Sequence, residues 1–285
     1  MYKVGMNTML WTDNVTLDRD KDLIEKIMGM GFDGVEFPVH AGMDIEEAKR
    51  LGAYMAEKGY EAIALGVLDP SYGNMISSSK SERDSGVAEV CRHVDMAKEL
   101  GSDRIIGPYT QGLGYFTGER LTKQEWQWSV ECAKQICEYA AKKDIKVAFE
   151  PLNRFEQLVL NTAEKAVEYI KEIDMPNAGL LMDTMHMNIE ELSIPKALVY
   201  AMPYTFHIHI SENDRGIPGT GHACGKDVFD AIKSTDYEGW LNIEAFNEGA
   251  PSLQGPLHLW RTFAPSDDDL ARQGLAYIRK MIAED

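Results

Sequence analysis

Lys146-Val147-Ala148-Phe149-Glu150, the amphipathic run Ala163–Ile173, and Gly179-Leu180-Leu181-Met182-Asp183 read, in that order, as strand, helix and strand. Each strand-like run is short and apolar and ends on a carboxylate. The helix follows Asn161-Thr162, which serves as its cap, with Glu164 and Glu168 near its first turns. A strand, a crossover helix and a second strand make a parallel pair, because parallel strands cannot be joined by a tight turn.

The same unit recurs in both directions along the chain. Val4–Leu10, Gly34–Phe37, Ala62–Gly66 and Arg104–Gly107 are strand-like runs before it, and Thr205–Ile210 and Leu241–Ala245 follow it. Apolar residues fall at helical spacing at Leu23, Ile24, Ile27 and Met28, and again at Ala48, Leu51 and Met55. Val87–Leu100, Trp126–Lys143, Val228–Ile232 and Leu270–Ile282 are further helix-like stretches. The glycines around Met30 and at Gly239 fit helix ends that lead into strands. About eight such repeats predict closure into a (β/α)8 TIM barrel, with residues 1–285 as a single domain. An open doubly wound sheet is the alternative, but it brings the last four strand ends around one point less naturally.

Those four ends carry ionisable groups. Phe206-His207-Ile208 ends in His209, and Trp240-Leu241-Asn242-Ile243 ends in Glu244, which join Glu150 and Asp183. In a barrel such groups converge at the carboxyl face of the strands. Three carboxylates and one imidazole make an oxygen-rich site for a hard divalent metal. The two glutamates can also move protons, which points to metal-assisted acid–base chemistry on a small oxygenated substrate. Taken singly, each carboxylate is as readily a helix cap or a solvated loop residue. His207 and His209 alternate in one strand and face the same side, so His207, one layer deeper, is expected to be an ordinary interior histidine. His186 alone is a polar residue after a strand, and Arg215 alone is a loop charge. Four potential ligands at four consecutive strand ends are harder to ascribe to coincidence.

Composition excludes several classes. The net charge of −17 opposes nucleic-acid binding. No apolar run approaches the length of a membrane span. The strand-like start at Val4 leaves no room for a signal peptide, and Cys91, Cys132, Cys137 and Cys224 form no metal-type pair, which fits reduced thiols of a cytoplasmic protein. Two glycine-rich loops, Tyr109–Gly118 and Asn213–Gly225, leave the presumed site face and are candidates for substrate cover.

At these residues the chain resembles the ketose 3-epimerases, the group of D-tagatose, D-allulose (D-psicose) and L-ribulose 3-epimerases. The matching segments are Glu150-Pro151-Leu152-Asn153-Arg154-Phe155-Glu156, Met182–Glu191, His207-Ile208-His209 and Ile243-Glu244-Ala245-Phe246. Val4-Gly5-Met6, Trp11, Gly31-Phe32-Asp33 and Leu259-Trp260-Arg261 extend the likeness over essentially the whole chain. Pro151 and Ser211-Glu212-Asn213-Asp214-Arg215 depart from the better-known pattern.

The resemblance implies a TIM barrel that epimerises free ketoses at C3 with one divalent ion, Mn²⁺ or Co²⁺, or else Mg²⁺. It implies Glu150, Asp183, His209 and Glu244 as metal ligands, and Glu150 and Glu244 as the two acid/base residues. Glu156, His186 and Arg215 would hold the substrate near O1, O2 and O3. Trp11, Gly66 and Phe246 would complete the sugar pocket. It further implies a homodimer or homotetramer. D-allulose/D-fructose, D-tagatose/D-sorbose and L-ribulose/L-xylulose are the candidate pairs, and no phosphate site of the usual kind is present. The alternatives are an aldose–ketose isomerase like xylose or hydroxypyruvate isomerase, and a barrel-fold DNA-repair endonuclease. The endonuclease needs many histidines, and the chain has 7 on a strongly acidic background.

Overall fold

In a computed structural model, which describes residues 2–284, eight strands close into a barrel in chain order, every neighbouring pair parallel. The strands are β1 (Lys3–Asn7), β2 (Gly34–Val39), β3 (Glu61–Gly66), β4 (Arg104–Gly107), β5 (Lys146–Phe149), β6 (Ala178–Asp183), β7 (Thr205–Ile210) and β8 (Trp240–Ile243). β8 returns to β1 with Lys3 opposite Trp240 and Met6 opposite Ile243, which removes any sheet edge and excludes the open alternative. The helices are α1 (Leu17–Gly29), α2 (Ile45–Lys58), α3 (Lys80–Glu99), α4 (Lys123–Ala141), α5 (Ala163–Ile173), α6 (Thr184–Glu190), α7 (Ile194–Ala201), α8 (Lys226–Lys233), α9 (Pro251–Gln254) and α10 (Asp267–Ala283). Among the described residues, no helix is long and apolar enough to cross a membrane.

The expected cap of α5 is present: the Thr162 side chain accepts from the Lys165 N–H, and the stripe Ala166, Val167, Ile170 and Ile173 is buried. Three strand ends fall short of the expected ones. β1 stops at Asn7, not Leu10, because the Asn7 side chain accepts from the Met9 N–H and starts a 3-10 turn. Apolar Met9 and Leu10 concealed that turn. β5 and β8 end at Phe149 and Ile243, so Glu150 and Glu244 are not strand residues but lie just past the last ones. α6, α7 and α9 were not anticipated. α6 begins on the residue after β6, and Asp183 caps it by accepting from the Met185 and His186 N–H groups.

The barrel interior divides in two. Ile63, Leu65, Ile106, Ala148, Leu181 and Trp240 form an apolar cluster of their own, separate from the large core between sheet and helices. The side made by β1, β2, β7 and β8 carries Asn7, Glu36, His207, His209 and Asn242, all 0% exposed. A register shift between Leu180 and Leu181 skips Phe206 on β7 and brings His209 opposite Asp183. That irregularity places two of the four expected ligands side by side.

Candidate active site

The carboxyl ends of β5 to β8 bring Glu150, Asp183, His209 and Glu244 together. Each offers a ligand atom, those atoms lie within 4.8 Å of one another, and all four residues are buried. His209 Nδ1 lies 3.6 Å from Asp183 Oδ2 and 3.5 Å from Glu244 Oε2, yet it has no hydrogen-bond partner. A buried ring nitrogen without a partner is costly. One nitrogen and three carboxylate groups facing a common point suit a hard divalent cation, so these residues fit the implied metal. The cap reading of Asp183 holds. Oδ1 caps α6, while Oδ2 accepts from Ser211 Oγ at 2.8 Å and from Arg215 Nη1 at 2.7 Å.

Burial, reinforced by the Glu244 charge, raises the Glu150 pKa well above the usual carboxylate range. Burial alone would raise Asp183 too, but the charges of Arg215 and the nearby His209 ring hold it well below that range. Burial and neighbouring charges thus act in opposite directions on two carboxyl groups of one site. His209 is lifted well above a normal imidazole. Burial opposes this, and the Glu36 and Glu244 charges prevail.

Arg215 comes from the β7–α8 loop and sits at φ 63, in the left-handed region. Its N–H donates to the Glu212 carbonyl at 2.9 Å, and its carbonyl accepts from the Phe246 N–H at 3.0 Å. The Glu212 carboxylate ties this loop down by accepting from the Asn213, Gly219 and Ala223 N–H groups and the Cys224 thiol. Arg215 Nη1 donates to both Asp183 Oδ2 and Glu244 Oε2 at 2.7 Å. The guanidinium lies 5.7 Å from the Phe246 ring centre, which backs it.

His186, on α6, packs between this arginine and Asn153. The Asn153 backbone N–H points at Nδ1, 3.2 Å away, and can only donate. Nδ1 therefore accepts from it. Nε2 lies 3.8 Å from Glu150 Oε1 and 2.9 Å from Arg215 Nη2. Burial, then the Arg215 charge, lowers the His186 pKa and keeps the ring neutral. Glu156 reaches this chain through Asn153, whose Nδ2 donates to Glu156 Oε1 at 2.7 Å. The Tyr109–Gly118 loop leans on the same segment: Gly114 N–H donates to the Glu156 carbonyl, and Gln111 Oε1 accepts from Leu158 and Val159.

Trp11 stands just past β1, its Nε1 donating to Asp268 at 2.9 Å. Gly66 ends β3. Ile63 and Leu65 face the barrel axis, so alternation turns the position of Gly66 outward, where a Cβ would overlap the Tyr109 hydroxyl. Only its backbone can serve the pocket. Sequence reasoning missed Glu36 and Asn242, and it placed Asn7 at the far end of the sugar, whereas Asn7 holds Glu36 beneath His209. Their signal was a polar residue inside an otherwise apolar strand, as in Gly34-Val35-Glu36-Phe37. His207 is the deeper interior histidine that was expected; burial lowers its pKa to about 4.

The profile of the xylose isomerase-like TIM barrel family matches residues 24–281. A protein of Synechocystis sp. described as a probable ketose 3-epimerase is 34% identical over 98% of this chain and 96% of its own. A ketose 3-epimerase of Arthrobacter globiformis is 30% identical over 97% of this chain and 96% of its own. The crystal structure of a D-allulose 3-epimerase from Methylomonas sp. superposes with a TM-score of 0.90 at 27% identity, covering 98% of each chain.

Proposed function

The chain belongs to the xylose isomerase-like TIM barrel family and, within it, to the ketose 3-epimerases, and we propose that it epimerises a free ketose at C3 with one divalent cation and two glutamates. The observation that carries this reading is the ring of Glu150, Asp183, His209 Nδ1 and Glu244, with ligand atoms within 4.8 Å of one another. These four would hold Mn²⁺ or Co²⁺, with Mg²⁺ also accepted. When bound, the cation would polarise the C2 carbonyl and stabilise the enediolate left when C3 loses its proton.

Glu150 and Glu244 reach the centre from β5 and β8, three strands apart around the ring. One carboxylate takes the C3 proton from one face, and the other carboxylic acid returns a proton to the opposite face. For the second epimer the roles exchange. Each turnover moves one proton on to one glutamate and one off the other, so exchange with solvent or the reverse reaction resets the pair. Arg215 and His186 would hydrogen-bond the oxygens of C1 to C3. Glu156 supports His186 through Asn153, Phe246 backs Arg215, and Trp11 with the Gly66 backbone would border the far end of the sugar.

The substrate pair in this reading is D-allulose/D-fructose, D-tagatose/D-sorbose or L-ribulose/L-xylulose. The 285 residues act as one barrel domain, in the cytoplasm, where four free cysteines would stay reduced. A homodimer or homotetramer is the expected assembly, and sedimentation velocity measures it. The deciding experiment incubates the metal-loaded protein with free ketoses and aldoses in D₂O. A second ketose with deuterium at C3 supports the reading. An aldose product overturns it in favour of an aldose–ketose isomerase, and no turnover of any sugar overturns both.

A further inference from the structure

Glu36 lies in the middle of β2, fully buried, with no part in the chemistry above. We propose that it is a positioning residue: it sets which nitrogen of His209 faces the carboxylate ring and fixes the rotation of that imidazole. The inference rests on the cation reading given above.

The geometry is specific. Glu36 Oε2 lies 3.1 Å from His209 Nε2 and accepts from Asn242 Nδ2 at 2.7 Å, while Oε1 accepts from Asn7 Nδ2 at 2.7 Å. β2 and β7 are separated in the ring by β1 and β8, so the Glu36–His209 contact crosses the barrel interior. One of the two amides that grip Glu36 is itself hydrogen-bonded, and the other sits where only glycine leaves space. Asn7 Oδ1 accepts from the Met9 N–H at 2.8 Å, and Asn242 has room only because residue 5 is glycine, where a Cβ would overlap its amide.

An ionised carboxylate accepts and never donates. Facing Glu36, His209 Nε2 must therefore carry a proton. A cation displaces the second ring proton, since a ligating imidazole is neutral, and the lone pair then lies on Nδ1, the atom that points at Asp183 and Glu244 without a hydrogen bond. The carboxylate behind the ring thus makes Nδ1 a ligand and aims it. A structural filler would not need this residue. The other half of the same interior is packed by Ile63, Leu65, Ile106, Ala148 and Leu181, whereas Glu36 adds a negative charge beneath three others.

The same atoms admit one competing reading, a second cation held by Glu36, His207 and His209, since His207 Nε2 is 3.3 Å from Glu36 Oε2. The amide donors of Asn7 and Asn242 already engage both Glu36 oxygens, which argues against it.

The test titrates chelator-stripped wild type, Glu36→Gln and Glu36→Ala with Mn²⁺ by calorimetry, and records the visible spectrum of each Co²⁺ form. Wild type should take one ion per chain. Glu36→Ala should bind it roughly 10- to 100-fold more weakly, with shifted Co²⁺ bands. Glu36→Gln keeps an oxygen for the Nε2–H and should fall between. Melting of the metal-free proteins separates this from simple loss of stability. Should Glu36→Ala fail to fold, Glu36→Gln and Asn242→Ala carry the comparison. Variants that fold and bind Mn²⁺ as wild type does, with the same Co²⁺ spectrum, overturn the positioning role while leaving the cation reading intact. Two ions per wild-type chain overturn it in favour of a second site. A wild type that binds neither ion overturns the cation reading and this inference with it.

Discussion

Arg215 Nη1 lies 2.7 Å from Asp183 Oδ2, so a guanidinium stands against the same oxygens that would hold a cation. That contact gives Arg215 two tasks, compensating buried carboxylates and donating to substrate. Arg215→Ala should lower the stability of the metal-free protein by about 3 kcal/mol, the cost of leaving one member of a buried ion pair alone. In the metal-loaded enzyme it should weaken ketose binding by about 2 kcal/mol and lower turnover, as the loss of a charged hydrogen bond does. Denaturant unfolding and steady-state kinetics check the two parts. Unchanged kinetic constants would remove the β7–α8 loop from the site.

Replacing either glutamate should stop epimerisation in both directions, because inversion needs a proton carrier on each face. Glu150→Gln and Glu244→Gln preserve size and some capacity to ligate, but an amide is no base. Each variant keeps the base suited to one epimer and should still exchange that epimer's C3 proton with D₂O without inverting it. The two variants should show opposite epimer preferences in ¹H NMR. Full epimerisation by either would refute the two-base mechanism.

Exhaustive chelation should abolish turnover, and Mn²⁺ or Co²⁺ should restore it. Binding to the folded state alone should stabilise the protein by about 2.7 kcal/mol at a metal concentration ~100 times Kd. Differential scanning calorimetry with and without metal measures this. Full activity after stripping, with no metal by elemental analysis, would sink the cation site.

Glu89, on α3, predicts a pH effect that does not come from the ring itself. The His93 Nε2 contact at 3.1 Å, aided by Arg92 against the cost of burial, holds the Glu89 carboxyl down at about 2. A depressed acid stabilises the fold fully above its unfolded value of about 4.3 and loses that contribution as pH falls towards the folded value. Wild type should therefore exceed Glu89→Gln by on the order of 1 kcal/mol at neutral pH, allowing for partial solvent screening, and the gap should close as pH falls through ~4 towards ~2. Urea melts at several pH values test it. A gap independent of pH would show that the carboxylate charge is not the source.

The barrel and the four strand-end groups were legible in the chain because both follow from local rules. Apolar runs separated by amphipathic helices must pair in parallel, and a closed parallel sheet gathers whatever its strand ends carry. Asp183 after Leu180-Leu181-Met182, and His209 beyond His207, needed only that alternation. Tertiary structure alone decided the rest. Glu36 meets His209 across 173 residues and Asn242 across 206, so no local window links them. The backbone N–H of Asn153 meets His186 Nδ1 across 33 residues. The left-handed turn at Arg215 exists because the Glu212 carboxylate gathers the N–H groups of a loop that periodicity cannot describe. Spacing along a chain sets which face a side chain takes. Which donor meets which acceptor is set by closure of the barrel, when burial obliges every polar group to find a partner.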